Sequence, residues 1–196
     1  MNKFGHLPTP PDGPFRFIAL DVETASRAAG SICQIGLCFV SDTGTMQTYS
    51  VLVDPEDPFE AFNTELHGIS AETVRDAATF PTVYAALFDR LNTHSLVQHS
   101  TFDEKVMTAA CARYDLPMLT SHWTNSVKVA RQAWPALKGA GGHGLANLKK
   151  HLGLSFHHHD AGEDARAAAC VILKAEETTG VRLAHLKTNR QLNLPI

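Results

Sequence analysis

No stretch of this 196-residue chain comes near the roughly 20 consecutive apolar residues that cross a bilayer. Its N-terminus also lacks the basic and apolar regions of a secretion signal. A cytoplasmic protein without a membrane partner is expected. Cysteine is sparse: Cys33, Cys38, Cys111 and Cys170 sit in apolar or helical contexts with no C-x-x-C spacing. That excludes a disulfide framework or a zinc ribbon and predicts reduced, buried thiols. A basic excess is missing too. With 17 Lys and Arg against 20 Asp and Glu, the chain is too acidic to coat a long polyanion by counterion release. No internal repeat is visible.

The remaining sequence is that of one globular α/β domain with two tails. Residues 1–14 carry Pro8, Pro10, Pro11 and Pro14 and read as an irregular leader. A domain is expected over 15–180 and a C-terminal tail over 181–196. Apolar runs predict strands at 15–22, 31–40 and 46–53, the last two separated by a turn at Ser41 to Thr45, which makes an antiparallel meander of three strands. Helical segments are expected near 70–77 and 81–92, a strand near 94–99 and a helix over 101–114. A short strand near 119–124 then leads to a helix through Ala133. Leu145, Leu148 and Leu152 mark another helical face, and a long helix follows Asp160.

Three local contexts carry chemistry. In FIALDVET, residues two apart on a strand share a face, so Asp21 and Glu23 project side by side. Two carboxylates held that close repel unless a hard divalent cation is shared between them. Asp160 followed by Glu163 has capping-box spacing, which makes His159 the N′ residue and Asp164 the N4 residue of the last helix. Those positions meet in a hydrophobic staple, so an imidazole and a carboxylate come together at one helix start. Between these two clusters, Asp103 falls in the first turn of a helix that Ser100 can cap.

In order and separation, D-x-E-T, the H-x-x-F-D of His99, Phe102 and Asp103, and the H-x-A-x-x-D-A of His159, Ala161, Asp164 and Ala165 resemble the motifs of the DEDDh, or DnaQ-like, 3′-to-5′ exonucleases. The segment ELHGIS, Glu65 to Ser70, is similar to the HGI segment with which the proofreading exonucleases of that family hold the terminal nucleotide. The likeness runs from about Phe15 to Thr179. It implies a ribonuclease H-like fold, with a central mixed five-stranded sheet flanked by helices. It also implies two divalent cations, Mg²⁺ or Mn²⁺, with Asp21 bridging them, Glu23 and Asp164 completing one shell and Asp103 supporting the second ion. His159 would take the proton from the attacking water, and nucleoside 5′-monophosphates would be released, with single-stranded DNA the favoured substrate. Thr24, Ala25, Leu66, His67, Ile69, His99 and Phe102 are the candidates for gripping the terminal sugar and base. Two departures affect nucleotide contacts only: Ala25 replaces a second threonine that the family often has, and Ser100 replaces an asparagine.

Competing readings have specific residues behind them. An RNA-trimming enzyme of the same fold fits the same motifs, and an idle nucleic-acid-binding or polymerase-associated module would not need all five catalytic residue types. A zinc site on His157 to Asp160 lacks a fourth ligand of suitable spacing. Gly139 to Gly144 fits G-x-G-x-x-G, but no convincing strand precedes it, so a loop is expected rather than a dinucleotide site. Trp123 and Trp134 read as packing residues. Finally, Gln191, Leu192, Leu194 and Ile196 resemble the short peptide by which bacterial replication and repair proteins bind the β sliding clamp, and they follow a polar stretch suited to a tether.

Overall fold

The computed structural model of the protein describes residues 7–155 and 158–183; His157 and the clamp-like residues Gln191, Leu192, Leu194 and Ile196 lie outside them. Strands β1 (Phe15–Thr24), β2 (Ile32–Ser41) and β3 (Met46–Leu52) form the expected antiparallel meander. Strands β4 (Ser95–Gln98) and β5 (Trp123–Asn125) add in parallel on the far side of β1, giving the order β3-β2-β1-β4-β5. Six α-helices accompany this mixed sheet among the described residues: α1 (Ala61–His67), α2 (Phe80–Thr93), α3 (Phe102–Arg113), α4 (Ser126–Ala133), α5 (Leu145–Leu152) and α6 (Ala161–Thr179). None of them is long and apolar enough to cross a membrane.

Strand periodicity decides which side chains meet which helix. Ile18, Leu20 and Val22 of β1 are buried with Leu87 and Leu91 of α2 and Met107 of α3. Phe17 and Ala19 are buried on the opposite face with Ala165, Ala168, Ala169 and Ile172 of α6. Each large apolar side chain removed from water this way stabilises the fold by about 1.5–3 kcal/mol. Carried two steps further, the same alternation puts Asp21 and Glu23 on the α6 side of the sheet. The alanines of α6 let it lie close, and at Gly36 a Cβ would stand 2.0 Å from the Ala161 carbonyl. Gly36 is the register partner of Asp21, so a close helix–sheet approach lies beside the first acidic residue.

Several expected boundaries move, each for a local reason. No helix forms over 70–77, where successive turns run instead. There the Ser70 and Thr73 hydroxyls bond each other and the backbone at 3.1–3.4 Å, offering the chain an alternative to the helical ladder. The unexpected helix is α1, just upstream, which buries no residue and so carries no amphipathic signature. The strand expected from 119 starts only at Trp123, because Thr120 and Ser121 bond Asn92 Oδ1 and the Leu91 carbonyl at the end of α2. The described part of the leader has no regular structure but is tied down. Tyr49 and Arg90 donate to the carbonyls of Pro8 and Pro11 at 3.1 and 3.2 Å.

Other expectations hold. Gly139 to Gly144 follows a 3₁₀ turn, Pro135–Gly139, rather than a strand, and Trp123 and Trp134 pack partly buried against the core clusters. All four cysteines are free; Cys33, Cys38 and Cys111 are buried as expected, whereas Cys170 is only partly so, and burial raises the Cys33 and Cys38 thiols to about 12, which leaves them neutral and unreactive.

Candidate active site

The site forms where β1 outruns its parallel neighbour. Pairing of β1 with β4 extends only from Phe17 to Ala19, so the last residues of β1 have an open edge on that side. Val22 N–H, without a strand partner there, donates to Asp103 Oδ1 at 3.1 Å. This places Asp103, buried in the first turn of α3, against the end of β1. The opposite approach comes from α6. Asp160 caps it by accepting from Glu163 N–H at 3.0 Å, as the capping-box spacing predicts. Gln34 of β2 then fixes the helix start on the sheet: its Oε1 accepts from Ala161 N–H at 3.1 Å and its Nε2 donates to Asp160 Oδ2 at 3.3 Å. Asp164, one turn along, is thereby brought over Asp21 and Glu23. Carboxylate oxygens of these three residues all lie within 4.8 Å of one another.

The electrostatics follow from this crowding. Burial, then Asp103, Asp164, Glu23 and Asp160 in turn, holds the Asp21 carboxyl well above the ordinary carboxylate range. Glu23 is pushed up to about 8 by burial and then by Asp164 and Asp103. Asp103 is pushed up to about 7 by burial and by Asp164, against the Val22 N–H that favours its charged form. Among the described residues no Lys or Arg forms an ion pair with Asp21, Glu23, Asp103 or Asp164. A compact all-oxygen donor set with uncompensated negative charge is what a hard divalent cation takes, so these residues fit the ions that the resemblance implies.

The imidazole that meets Asp164 is not the expected one. His159 has φ of 69°, and its backbone N–H, rather than its ring, donates to Asp164 Oδ2 at 2.9 Å. The ring in hydrogen-bond contact is that of His158, with Nδ1 2.8 Å from Asp164 Oδ2 and 3.1 Å from Oδ1. The left-handed turn rotates the chain by one residue relative to a simple staple, which is why the neighbour takes the contact. The His159 ring stacks on His158 at 4.1 Å and keeps a nitrogen within 4.8 Å of the Asp164 and His158 donor atoms. Burial and then the adjacent His158 hold its pKa below the usual histidine value, partly offset by Asp164.

A cleft of about 690 Å³ opens above the acids, and Thr24, Leu66 and Phe102 line it as expected, together with both histidines. Leu66 and Phe102 are exposed. The other nucleotide candidates do not reach it. The His99 ring is fixed between Ser126 Oγ at 2.8 Å and the His143 carbonyl at 3.1 Å, and burial pushes its pKa down to about 4. It ties the end of β4 to the loop before α5. Ala25 and Ile69 are buried in a small core with Cys33 and Val74. His67 bonds the Thr24 carbonyl at 3.1 Å and accepts from Ile69 N–H at 3.0 Å, so it shapes the cleft wall from behind. Sequence reasoning missed Phe62, Asn63, Arg27 and Lys105, and considered His158 only within the discounted zinc tract; all five line the cleft. Phe62 and Leu66 stand one helical turn apart on α1, the helix that left no periodic trace.

A family model described as Exonuclease, RNase_T, matches residues 18–172. DNA polymerase III PolC-type of Streptococcus pyogenes serotype M2 (strain MGAS10270) is 33% identical over 182 residues, covering 88% of this chain. The chain spans only 12% of that relative's length. Among solved structures, Exonuclease X in complex with 5′ overhanging duplex DNA superimposes with a TM-score of 0.69 at 24% identity, covering 87% of this chain and 97% of the other. The nuclease domain of 3′hExo, a DEDDh family member bound to rAMP, gives a TM-score of 0.74 at 20% identity, covering 88% and 97%.

Proposed function

The chain belongs to the exonuclease family of the DnaQ-like, DEDDh type, and from that premise we propose that it is a metal-dependent 3′-to-5′ exonuclease that hydrolyses DNA phosphodiester bonds and releases nucleoside 5′-monophosphates. One observation carries this reading: Asp21, Glu23 and Asp164 converge within 4.8 Å at the base of a cleft whose wall includes His159, Leu66 and Phe102. Asp21, Glu23 and Asp164, with Asp103 behind them, would hold two Mg²⁺ or Mn²⁺ ions, which when bound polarise the scissile phosphate and lower the pKa of water.

The side chains do the rest. His159, kept largely neutral near pH 7 by burial, accepts the proton of the attacking water. Phe102 and Leu66, apolar and exposed, receive the unstacked terminal base. Thr24 faces the terminal sugar, and its carbonyl is held by His67 from behind and by Asn63 at the cleft wall. Likeness to a DNA polymerase III sequence favours DNA over RNA and a cytoplasmic setting in proofreading or repair. The tail residues Gln191, Leu192, Leu194 and Ile196 suit a peptide that docks on a β sliding clamp, where tethering would raise the local concentration of a mildly acidic nuclease on DNA.

The test uses matched 5′-labelled single-stranded DNA and RNA with Mg²⁺, Mn²⁺ or EDTA. Stepwise shortening from the 3′ end, lost in EDTA and in Asp21→Asn, is expected. His159→Ala should lower turnover by about 10² to 10⁴ without loss of Mg²⁺ binding at the acid cluster. Undiminished turnover of Asp21→Asn at saturating Mg²⁺ would refute the site, and preferential cleavage of RNA would replace the substrate. Loss of clamp binding on deletion of residues 191–196, read by surface plasmon resonance, tests the tail separately.

A further inference from the structure

His158 has no part in the mechanism above, yet its ring is in hydrogen-bond contact with Asp164. We propose that His158, His159 and Asp164 form a second metal site, for a borderline ion of the Zn²⁺ type, which competes with the acid cluster for Asp164. Donor atoms of the three residues lie within 4.8 Å of one another. Those of a tetrahedral zinc site stand about 3.3 Å apart at Zn–N and Zn–O bonds of about 2.0–2.1 Å, so small side-chain rotations close the gap. The His158 ring is already 2.8 Å from Asp164 Oδ2, the contact that a shared ion would replace. His158 is 37% exposed and Asp164 4%, so the site is anchored on a buried carboxylate and open to solvent on its histidine side, where a water can complete the shell.

The donor types set the selectivity. Two imidazoles and one carboxylate bind Zn²⁺ or Co²⁺ far better than Mg²⁺, whereas the all-oxygen set of Asp21, Glu23 and Asp164 suits Mg²⁺. Asp164 belongs to both sets. An ion held by the histidines therefore withdraws a carboxylate from the acid cluster and occupies the lone pair of His159. The consequence, inhibition by zinc of Mg²⁺-supported cleavage, rests on the exonuclease reading; the binding itself does not.

The experiment titrates the full chain with Zn²⁺ by calorimetry and with Co²⁺ by visible spectroscopy, in wild type, His158→Gln and Asp21→Asn. The expected result is ligand-field bands of four-coordinate Co²⁺ in wild type, Zn²⁺ affinity at least about tenfold weaker in His158→Gln, and Asp21→Asn within about threefold of wild type. Equal Zn²⁺ affinity in wild type and folded His158→Gln, or loss of Zn²⁺ binding in Asp21→Asn, would overturn the proposal by showing that zinc merely enters the acid cluster. In the activity arm, Zn²⁺ should inhibit wild type in saturating Mg²⁺. Zinc binding in the expected pattern by a protein that cleaves nothing with Mg²⁺ would uphold the site and sink the exonuclease reading.

Discussion

Stripped of divalent cations, the protein should lose stability as the pH rises above neutrality. Glu23 titrates at 4.5 as an ordinary glutamate and at about 8 in the fold; Asp103 titrates at 3.8 and about 7. A raised folded-state pKa means that the folded protein binds the proton more tightly, so the stability this confers is complete below the unfolded value and vanishes as pH passes the folded one. His99 acts in the opposite sense. Held neutral down to about 4, it adds stability as pH rises towards 6.5, so the acids are isolated only above that point.

Between pH about 6.5 and about 8.5, at 1.36 kcal/mol per pH unit, Glu23 and Asp103 together should cost about 3 kcal/mol. For a chain of this size that is about 6–12 °C in Tm. The assay is differential scanning fluorimetry in EDTA across that range, repeated with Mg²⁺ and with Glu23→Gln. Mg²⁺ should raise Tm far more at the upper pH than at the lower, and Glu23→Gln should remove most of the slope. A Tm in EDTA that is level or rising through this window, or an equal Mg²⁺ gain at both ends, would refute the picture of mutually repelling buried carboxylates.

Gly36→Ala should force the start of α6 off the sheet, since its Cβ would stand 2.0 Å from the Ala161 carbonyl. The expected loss is about 1–3 kcal/mol in urea unfolding and about 10²-fold in turnover, from displacement of Asp164 by the order of 1 Å. Glu176→Gln should cost about 3–5 kcal/mol, because Arg16, 6% exposed, has Glu176 as its ion-pair partner. A paired Arg16→Met, Glu176→Leu variant should recover much of that in the same unfolding assay. His159→Gly should be more stable than His159→Ala by about 1 kcal/mol in urea unfolding, because φ of 69° is strained for any residue with a Cβ, while both variants lose turnover alike.

Parts of the fold with a repeating physical signature were legible. The meander was, because β1 and β2 are nearly continuous buried runs. The last helix was, because a side-chain cap and an alanine-rich face announce both its start and its packing. Helix α1 was not: it is seven residues long, has no side-chain cap and buries nothing, so its apolar residues fall in no pattern that a core would impose. The shortened β5 was hidden for a related reason, since the bonds of Thr120 and Ser121 go to Asn92 and Leu91, partners about 30 residues away in sequence.

The same distinction runs through the site. Asp21, Glu23, Asp103 and Asp164 were readable because each is bound to a local rule: a strand alternation or a position in a helical first turn. Residues assigned by motif letter alone fared differently. His99 looks like a ligand-facing histidine in sequence, but its two ring nitrogens are used to hold β4, α4 and the loop before α5 together. The split between His158 and His159 lay beyond any spacing rule, because one positive φ decides which ring turns to Asp164. Nothing in a run of adjacent histidines reports that angle. The order of the acids along the chain therefore points to the family, whereas the arrangement of the groups around them is fixed by the tertiary contacts of Gln34, Gly36 and Val22 that aim each backbone segment at the cluster.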